Sequence, residues 1–325
     1  MLIRRYWFFN KDGSSWVKEV VKKARAHPPM KSDTTYKRAL AGAILTLGAV
    51  TMGQGETAEA IPILEEGVVL AEDSGEIKQK VFGLNMLLIC MLQLGEFKKV
   101  DEVAAEALAL SRSYGLDFLR MMTLGSFTPV FAFRGNHQEA LAYTKEAIEL
   151  AKRFRNPWAE AMSLQLEGHA ERGKQNWRAA QAAFSRAYTL FEAVRDTPFM
   201  YISLSEAGHM KRILGDYAGA EEIYRKTILF FRDGVGKSAV IHQLESFGMV
   251  AAYQGQFERA AALLGAAQAL RLSYQSVRLP PEQIEFDQAL AKLAAVMGQA
   301  ERDSAMAEGA KMTIDEAVEL ALARA

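Results

Sequence analysis

The chain has 325 residues, half of them hydrophobic, and its 39 Lys+Arg are balanced by 39 Asp+Glu. A zero net charge excludes the global basic field that draws proteins to nucleic acid. A single cysteine excludes an intrachain disulfide framework, which fits a reducing, cytoplasmic setting. No stretch approaches the run of about 20 apolar residues that a membrane-spanning helix needs.

The charge is uneven. Residues 1–40 carry ten Lys/Arg and three Asp/Glu, so the remainder is acidic by the same margin. The opening "MLIRRYWFFNKDG" has too short an apolar run for a signal-peptide core. Residues 14–26 predict a helix, the second of an incomplete N-terminal repeat that occupies 1–32. Val17 and Val20 hold its core registers. Tyr6, Trp7, Phe8 and Phe9 have no evident helix to cover, so this segment is a candidate for homodimerisation. Lys18, Lys22, Lys23, Arg25 and Lys31 form a basic face without interleaved aromatics, which reads as a solvated face or a junction to another domain rather than a nucleic-acid site.

Residues 33–276 repeat with a period of 40. Gly55, Gly95, Gly135, Gly215 and Gly255 are in register, and Gln175 stands where the missing member falls. Two positions on come Thr57, Phe97, His137, Trp177, Tyr217 and Phe257, and three further on Ala60, Val100, Ala140, Ala180, Ala220 and Ala260. Gly48, Gly168, Gly208 and Gly248 recur seven residues before the turn. Each unit predicts two amphipathic helices of about 17 residues. A glycine ends the first without steric penalty, the aromatic covers the turn, and the small residues let the helices approach. No helix can bury such a face alone, so six units, at roughly 33–72, 76–114, 117–154, 157–196, 198–233 and 237–276, must stack.

Local departures are few. Pro62 falls early in a second-type helix, past the position where proline is harmless, and Pro129 should kink a first-type helix. Cys90, within "MLLICMLQL", reads as a small core residue. "DGVGKS" at 233–238 lacks the earlier glycine and the preceding strand of a phosphate-binding loop, and reads as an inter-repeat turn. Residues 277–325, opening with Pro280 and Pro281 as a helix start, predict a C-terminal helical cap.

The small-residue spacing Gly48…Gly55…Ala60 and Gly248…Gly255…Ala260 resembles the tetratricopeptide repeat with lengthened helices. HEAT and armadillo units have a similar length but not this Gly–Gly–Ala spacing. The resemblance implies an all-α fold, an α-solenoid forming a right-handed superhelix of helical hairpins. The stretch from "ESFGMVAAYQGQFERAAALLGAAQALR" to the "MAEG…MT…EAV" ending (Met306, Ala307, Glu308, Gly309, Met312, Thr313, Glu316, Ala317, Val318) is similar to the C-terminal sensor region of large bacterial signal-transducing ATPases, the LuxR-type and maltose-activator-like regulators. This implies the partner-binding arm of a regulator whose ATPase and DNA-binding parts have no counterpart here.

Tetratricopeptide geometry places first-type helices on a concave face. "EGHAER" puts His169 and Arg172 on one helix face, and "AGHMKR" repeats the pair as His209 and Arg212. Gln165, Ser205, Glu206, His242 and Glu245 are neighbours. Such a ladder suits a carboxylate or phosphate, because arginine binds these groups bidentately. The alternative is a self-satisfied network in which Glu206 and Glu245 neutralise the arginines. A metal site on His169 and His209 would need a third ligand, and an acid–base pair of Glu206 with His209 would need a closed pocket. No catalytic residue, cofactor or metal is expected. Met52, Met86 and Met249 are further groove candidates, and Phe82, Met122, Phe133 and Ile202 would give it an apolar stripe. The expected function is a non-enzymatic protein-binding module that holds a protein or peptide segment, or its own missing switch domain, in the groove. The competing expectation is a sensor for an anionic or sugar inducer in the same groove.

Overall fold

Among the described residues of the repeats the backbone turns left-handed at intervals of twenty residues or a multiple of twenty. In the computed structural model, Gly55, Gly75, Gly95, Gly115, Arg155, Gln175, Arg195, Gly215, Gly255 and Gln275 all have φ between 46° and 87°. After nearly every one, the next amide bonds back across the helix end, as Glu96 N–H does to the Met91 carbonyl at 2.9 Å and Asp216 N–H to that of Lys211 at 2.9 Å. This is the Schellman closure, which satisfies carbonyls that a helix end leaves orphaned. The 40-residue period of the sequence is therefore two 20-residue steps of helix and cap. Gln175 takes the left-handed conformation itself (φ 60°).

The structure describes residues 11–26, 33–133, 137–234, 237–278 and 280–323, and of these the side chains of 11–14, 127–133, 137, 234, 280 and 281 are not described. Among the described residues there are sixteen helices and no strand. They are α1 Lys11–Ala26, α2 Thr34–Gly53, α3 Thr57–Asp73, α4 Ile77–Leu94, α5 Phe97–Ser113, α6 Asp117–Phe133, α7 His137–Arg153 and α8 Pro157–Gly173. Then follow α9 Trp177–Ala193, α10 Thr197–Ile213, α11 Tyr217–Gly234, α12 Lys237–Tyr253, α13 Phe257–Ser273, α14 Pro280–Met297, α15 Gln299–Gly309 and α16 Ile314–Leu322. The six expected hairpins are α2–α3 to α12–α13. The aromatic segment 1–10 lies outside the described residues, as do the side chains around Pro129. α3 runs on through Pro62.

In four of the hairpins the first-helix glycine meets a side chain sixteen residues later. A Cβ on Gly48 would lie 2.6 Å from Leu64, one on Gly168 2.6 Å from Phe184, one on Gly208 3.0 Å from Tyr224 and one on Gly248 2.8 Å from Leu264. The older glycine series is thus a set of close helix crossings. Ala60, Val100, Ala180, Ala220 and Ala260 are fully buried at the same interfaces.

The chain divides into two compact units, one of residues 1–150 and one of 151–233 with 237–325. In the first, α1 packs its Val17 and Val21 on Ile44 and Leu47. Val21, not Val20, is the second core position, so the incomplete repeat departs by one residue from the 40-residue register. Lys18, Lys22, Lys23 and Arg25 are exposed, and Arg25 pairs with Glu66. Cys90 is fully buried in α4, and burial pushes its thiol up to about 12. One correction falls here: α4 is 18 residues long and apolar enough to span a membrane by length and composition. It packs instead against α3, α5 and α6, and it buries Lys80, which pairs with Glu72 and Glu106 at 2.7 Å each. That is the chemistry of a core helix.

In the second unit, α9 and α10 share a core of Ala180, Phe184, Ala207 and Met210 that Trp177 covers. α12 and α13 continue the stack, and the cap α14–α16 closes over them. "DGVGKS" lies where α11 ends and α12 begins at Lys237, with a helix rather than a strand before it.

Candidate functional site

α8, α10 and α12 each bring a polar residue to the same repeat position, Gln165, Ser205 and Glu245, and all three are buried. Asp196 caps α10 through its side chain, and Asn156 caps α8. These caps fix where the first-type helices start, and hence the height of every side chain along them.

His209 is the centre. Its Nδ1 lies 2.9 Å from the Tyr224 hydroxyl and its Nε2 3.3 Å from Ser205 Oγ. Gln243 Nε2 donates to Ser205 Oγ at 2.7 Å, and Thr227 Oγ1 donates to Gln243 Oε1 at 2.7 Å. Every member of this chain of bonds is buried. Burial, with the His242 ring 4.8 Å away and Arg212 nearby, holds His209 well below the usual imidazole range. The ring is neutral near pH 7, and both nitrogens are engaged. His169 packs edge-on to Phe184 at 5.0 Å and is also lowered by burial.

The two ladder arginines have different fates. Arg172 Nη1 donates to Glu206 Oε2 at 3.0 Å, and their side chains keep 23% and 19% of their exposure. Burial would raise Glu206, but Arg172, with His169 and His242 behind it, outweighs that and holds the carboxyl below its ordinary range. Arg212 is 9% exposed and pairs with Glu285 of the cap helix α14. His242 Nε2 lies 3.5 Å from Glu282 Oε1, one turn earlier on α14.

Glu245 takes partners other than the ladder. Arg271 Nε and Nη2 bind its two oxygens at 2.7 Å each, and Arg278 Nε binds at 2.7 Å. Arg278 then lies over the Phe286 ring at 3.6 Å. With a side chain 1% exposed, Glu245 would be raised by burial, but Arg271 and Arg278 hold it low. Met249 joins Phe286 in the core beneath the cap, so it is not a groove residue. Met52, Met86, Phe82, Met122 and Ile202 are half-buried.

The structure thus brings together His209, Arg212, His242, Ser205 and Glu245, and leaves Arg172–Glu206 and His169 one repeat earlier. Sequence reasoning missed Tyr224, Thr227, Gln243, Glu282, Glu285, Arg271 and Arg278. The only signal for the cap pair was the i, i+3 spacing of two acids in "PPEQIEF". Among the described residues no group of three or more His, Cys, Asp or Glu could hold a metal ion.

A cavity of about 470 Å3 lies elsewhere, bounded by the end of α7, the start of α8 and Arg186 of α9. Its α8 lining is Glu160, Ser163, Leu164 and Glu167. At about 100° per residue, that face points about 155° away from the one carrying Gln165, His169 and Arg172.

The backbone matches the Rap protein complexed with Competence and Sporulation Factor at a TM-score of 0.64 and 17% identity, covering 96% of this chain and 82% of that one. The fold is a tetratricopeptide-like array of helical hairpins. BtubC (BKLC) from P. vanneervenii matches at 0.50 and 18% identity, over 65% of this chain and 86% of that one. A signal transduction ATPase with numerous domains and a tetratricopeptide repeat sensor, from Pyrococcus horikoshii, matches at 0.48 and 14% identity. That match covers 85% of this chain and 43% of the ATPase. No protein-family model matches the chain, and no curated protein matches it in sequence.

Proposed function

We propose that this chain is a non-enzymatic protein-binding module, the partner- or signal-sensing arm of a bacterial regulatory protein. Its partner is a protein or peptide segment laid along the first-type helices of the second unit. The observation that carries this reading is the Arg172–Glu206 pair. Of the two ladder arginines it is Arg172 whose pair stays partly open, whereas Arg212 and Glu245 are paired beneath the cap. The segment therefore engages α8 and α10 first, at Arg172, Glu206 and His169, with Ile202 beside them.

The chemistry of the site supports binding over catalysis. His209 has both nitrogens occupied, and Glu206 is tied to an arginine. A general base must be free to reach the proton it abstracts. Helical repeats commonly bind along an extended surface of this kind. The regulatory assignment rests on the resemblance of residues 245–325 to the sensor ends of signal-transducing ATPases.

The test is capture from a lysate of the encoding organism on the immobilised full chain, in parallel with Arg172→Ala and Glu206→Gln. Proteins retained by the parent and lost with both variants are the expected result. Identical retention by all three would remove the assignment of this face.

A further inference from the structure

The cavity on the opposite side of α8 has no part in the function proposed above. Its volume of about 470 Å3 lies within the range of small-ligand sites, about 300–1,000 Å3. Five charged side chains line it: Lys152, Arg155, Glu160 and Glu167 from the α7–α8 side, and Arg186 from α9. Lys152 has a partner, but among the described residues Arg155, Glu160, Glu167 and Arg186 make no salt bridge or side-chain hydrogen bond. Two arginines and two glutamates around one concavity would ordinarily pair. Here they stand apart, around space the size of a small molecule, while Ser163 at the cavity wall is buried.

The spacing indicates what fits. The start of α8 at Pro157 and Glu167 are ten residues apart, about 15 Å along the helix axis. A tripeptide extended at about 3.3–3.6 Å per residue covers about 10 Å of that, and the long Arg155 and Glu167 side chains can reach over the rest. Arg155 sits just before the N-terminal end of α8, where the helix dipole also favours an anion. Arginine grips a carboxylate through two parallel N–H bonds, and a glutamate accepts from an ammonium.

We propose that this cavity binds a short zwitterionic peptide of two or three residues. Its free carboxylate lies against Arg155 and the start of α8, and its free ammonium against Glu167. Glu160 and Arg186 border the middle of the ligand and exclude chains that carry a single sign of charge.

The experiment uses the full-length chain and a mixed-sequence tripeptide pool, prepared with free termini and again with both termini capped by acetyl and amide groups. Saturation-transfer NMR on each pool is followed by calorimetry on the strongest free tripeptide and its two singly capped forms. The expected result is signal from the free pool and at least tenfold weaker binding after either cap. Arg155→Gln should remove the penalty for C-terminal amidation alone, and Glu167→Gln the penalty for N-terminal acetylation alone. Glu206→Gln, on α10 of the next hairpin and outside the cavity lining, should leave binding unchanged. Equal signal from the two pools, no signal from the free pool, or loss of binding in Glu206→Gln rather than in the cavity variants would each overturn the proposal.

Discussion

Arg212, in the last turn of α10, pairs with Glu285 of α14, 73 residues further along the chain. The guanidinium is almost wholly buried, and its counter-charge comes from the C-terminal cap rather than from a neighbouring repeat. The half of the ladder that most resembled a ligand site in sequence is thereby committed to holding the cap down. Glu282 on His242, and Phe286 beneath Arg278, fasten the same helix at adjacent positions.

Removing the Glu285 carboxylate leaves Arg212 charged and buried. Loss of one partner of a buried pair costs about 3–5 kcal/mol. Glu285 is itself partly exposed, so the lower end applies. Urea unfolding of Glu285→Gln should show a midpoint well below the parent's, and Arg212→Met should be less damaging because it leaves no orphan charge. Equal midpoints for Glu285→Gln and the parent would mean that the pair does not hold the cap.

The cap also depends on two glycines. A Cβ on Gly309 would lie 1.9 Å from the Ala262 carbonyl oxygen, and one on Gly265 2.1 Å from that of Met306. Backbone cannot yield as a side chain can, so Gly309→Ala and Gly265→Ala should each cost about 2 kcal/mol or more. Gly173→Ala, where a Cβ meets nothing within 4 Å, should be neutral or slightly stabilising. Thermal melts of the three variants check the contrast.

Three turn residues pay a conformational cost that glycine would not. Gln175, Arg195 and Gln275 hold φ of 60°, 56° and 52°, and all three are exposed. A left-handed L-residue costs about 1–2 kcal/mol, part of which glycine forfeits in the unfolded chain. Gln175→Gly, Arg195→Gly and Gln275→Gly should therefore each stabilise by about 0.5 kcal/mol, and Gly215→Ala should destabilise by about 1 kcal/mol. Chemical denaturation of the triple variant, in which the gains add, gives the clearest reading.

Stability should fall below neutral pH. His209 and His169 have lowered values in the folded chain, so between those values and about 6.5 the unfolded state binds more protons. Each histidine then removes at most about 1.4 kcal/mol per pH unit as the pH drops through that window. Glu206 and Glu245 are also lowered, and their contribution is lost further down, below the ordinary glutamate value of about 4.3. His209→Gln should flatten the slope between pH 7 and 5 but not the fall at lower pH. Unchanged slopes in that variant would place the acid sensitivity elsewhere.

The repeat was legible because its residues are dictated locally. A turn that needs a left-handed residue selects glycine, and a close crossing selects Gly168 or Ala180. The 20-residue half-step was hidden because Arg155, Arg195 and Gln275 fill the left-handed position without glycine. The site was half legible. Helical spacing put His209 with Arg212 on one face, and it raised Glu206 as a neutralising partner for the arginines, which the structure finds on Arg172. Whether a ladder residue faces solvent or a cap depends on contacts between distant segments. Nothing near Arg212 announces Glu285, and Glu245 meets Arg271 and Arg278 only because α13 and the strap after it fold back.

The central claim is that a partner segment lies on the first-type helices of the second unit. The most direct measurement places a photoreactive p-benzoyl-phenylalanine at position 202, on the face of α10 that carries Glu206, and in a separate chain at position 229 on α11. Each full-length chain is irradiated with the lysate of the encoding organism. Cross-linked partner from position 202 and none from 229 is the outcome the account predicts. A partner that cross-links from 229 and not from 202 would contradict it.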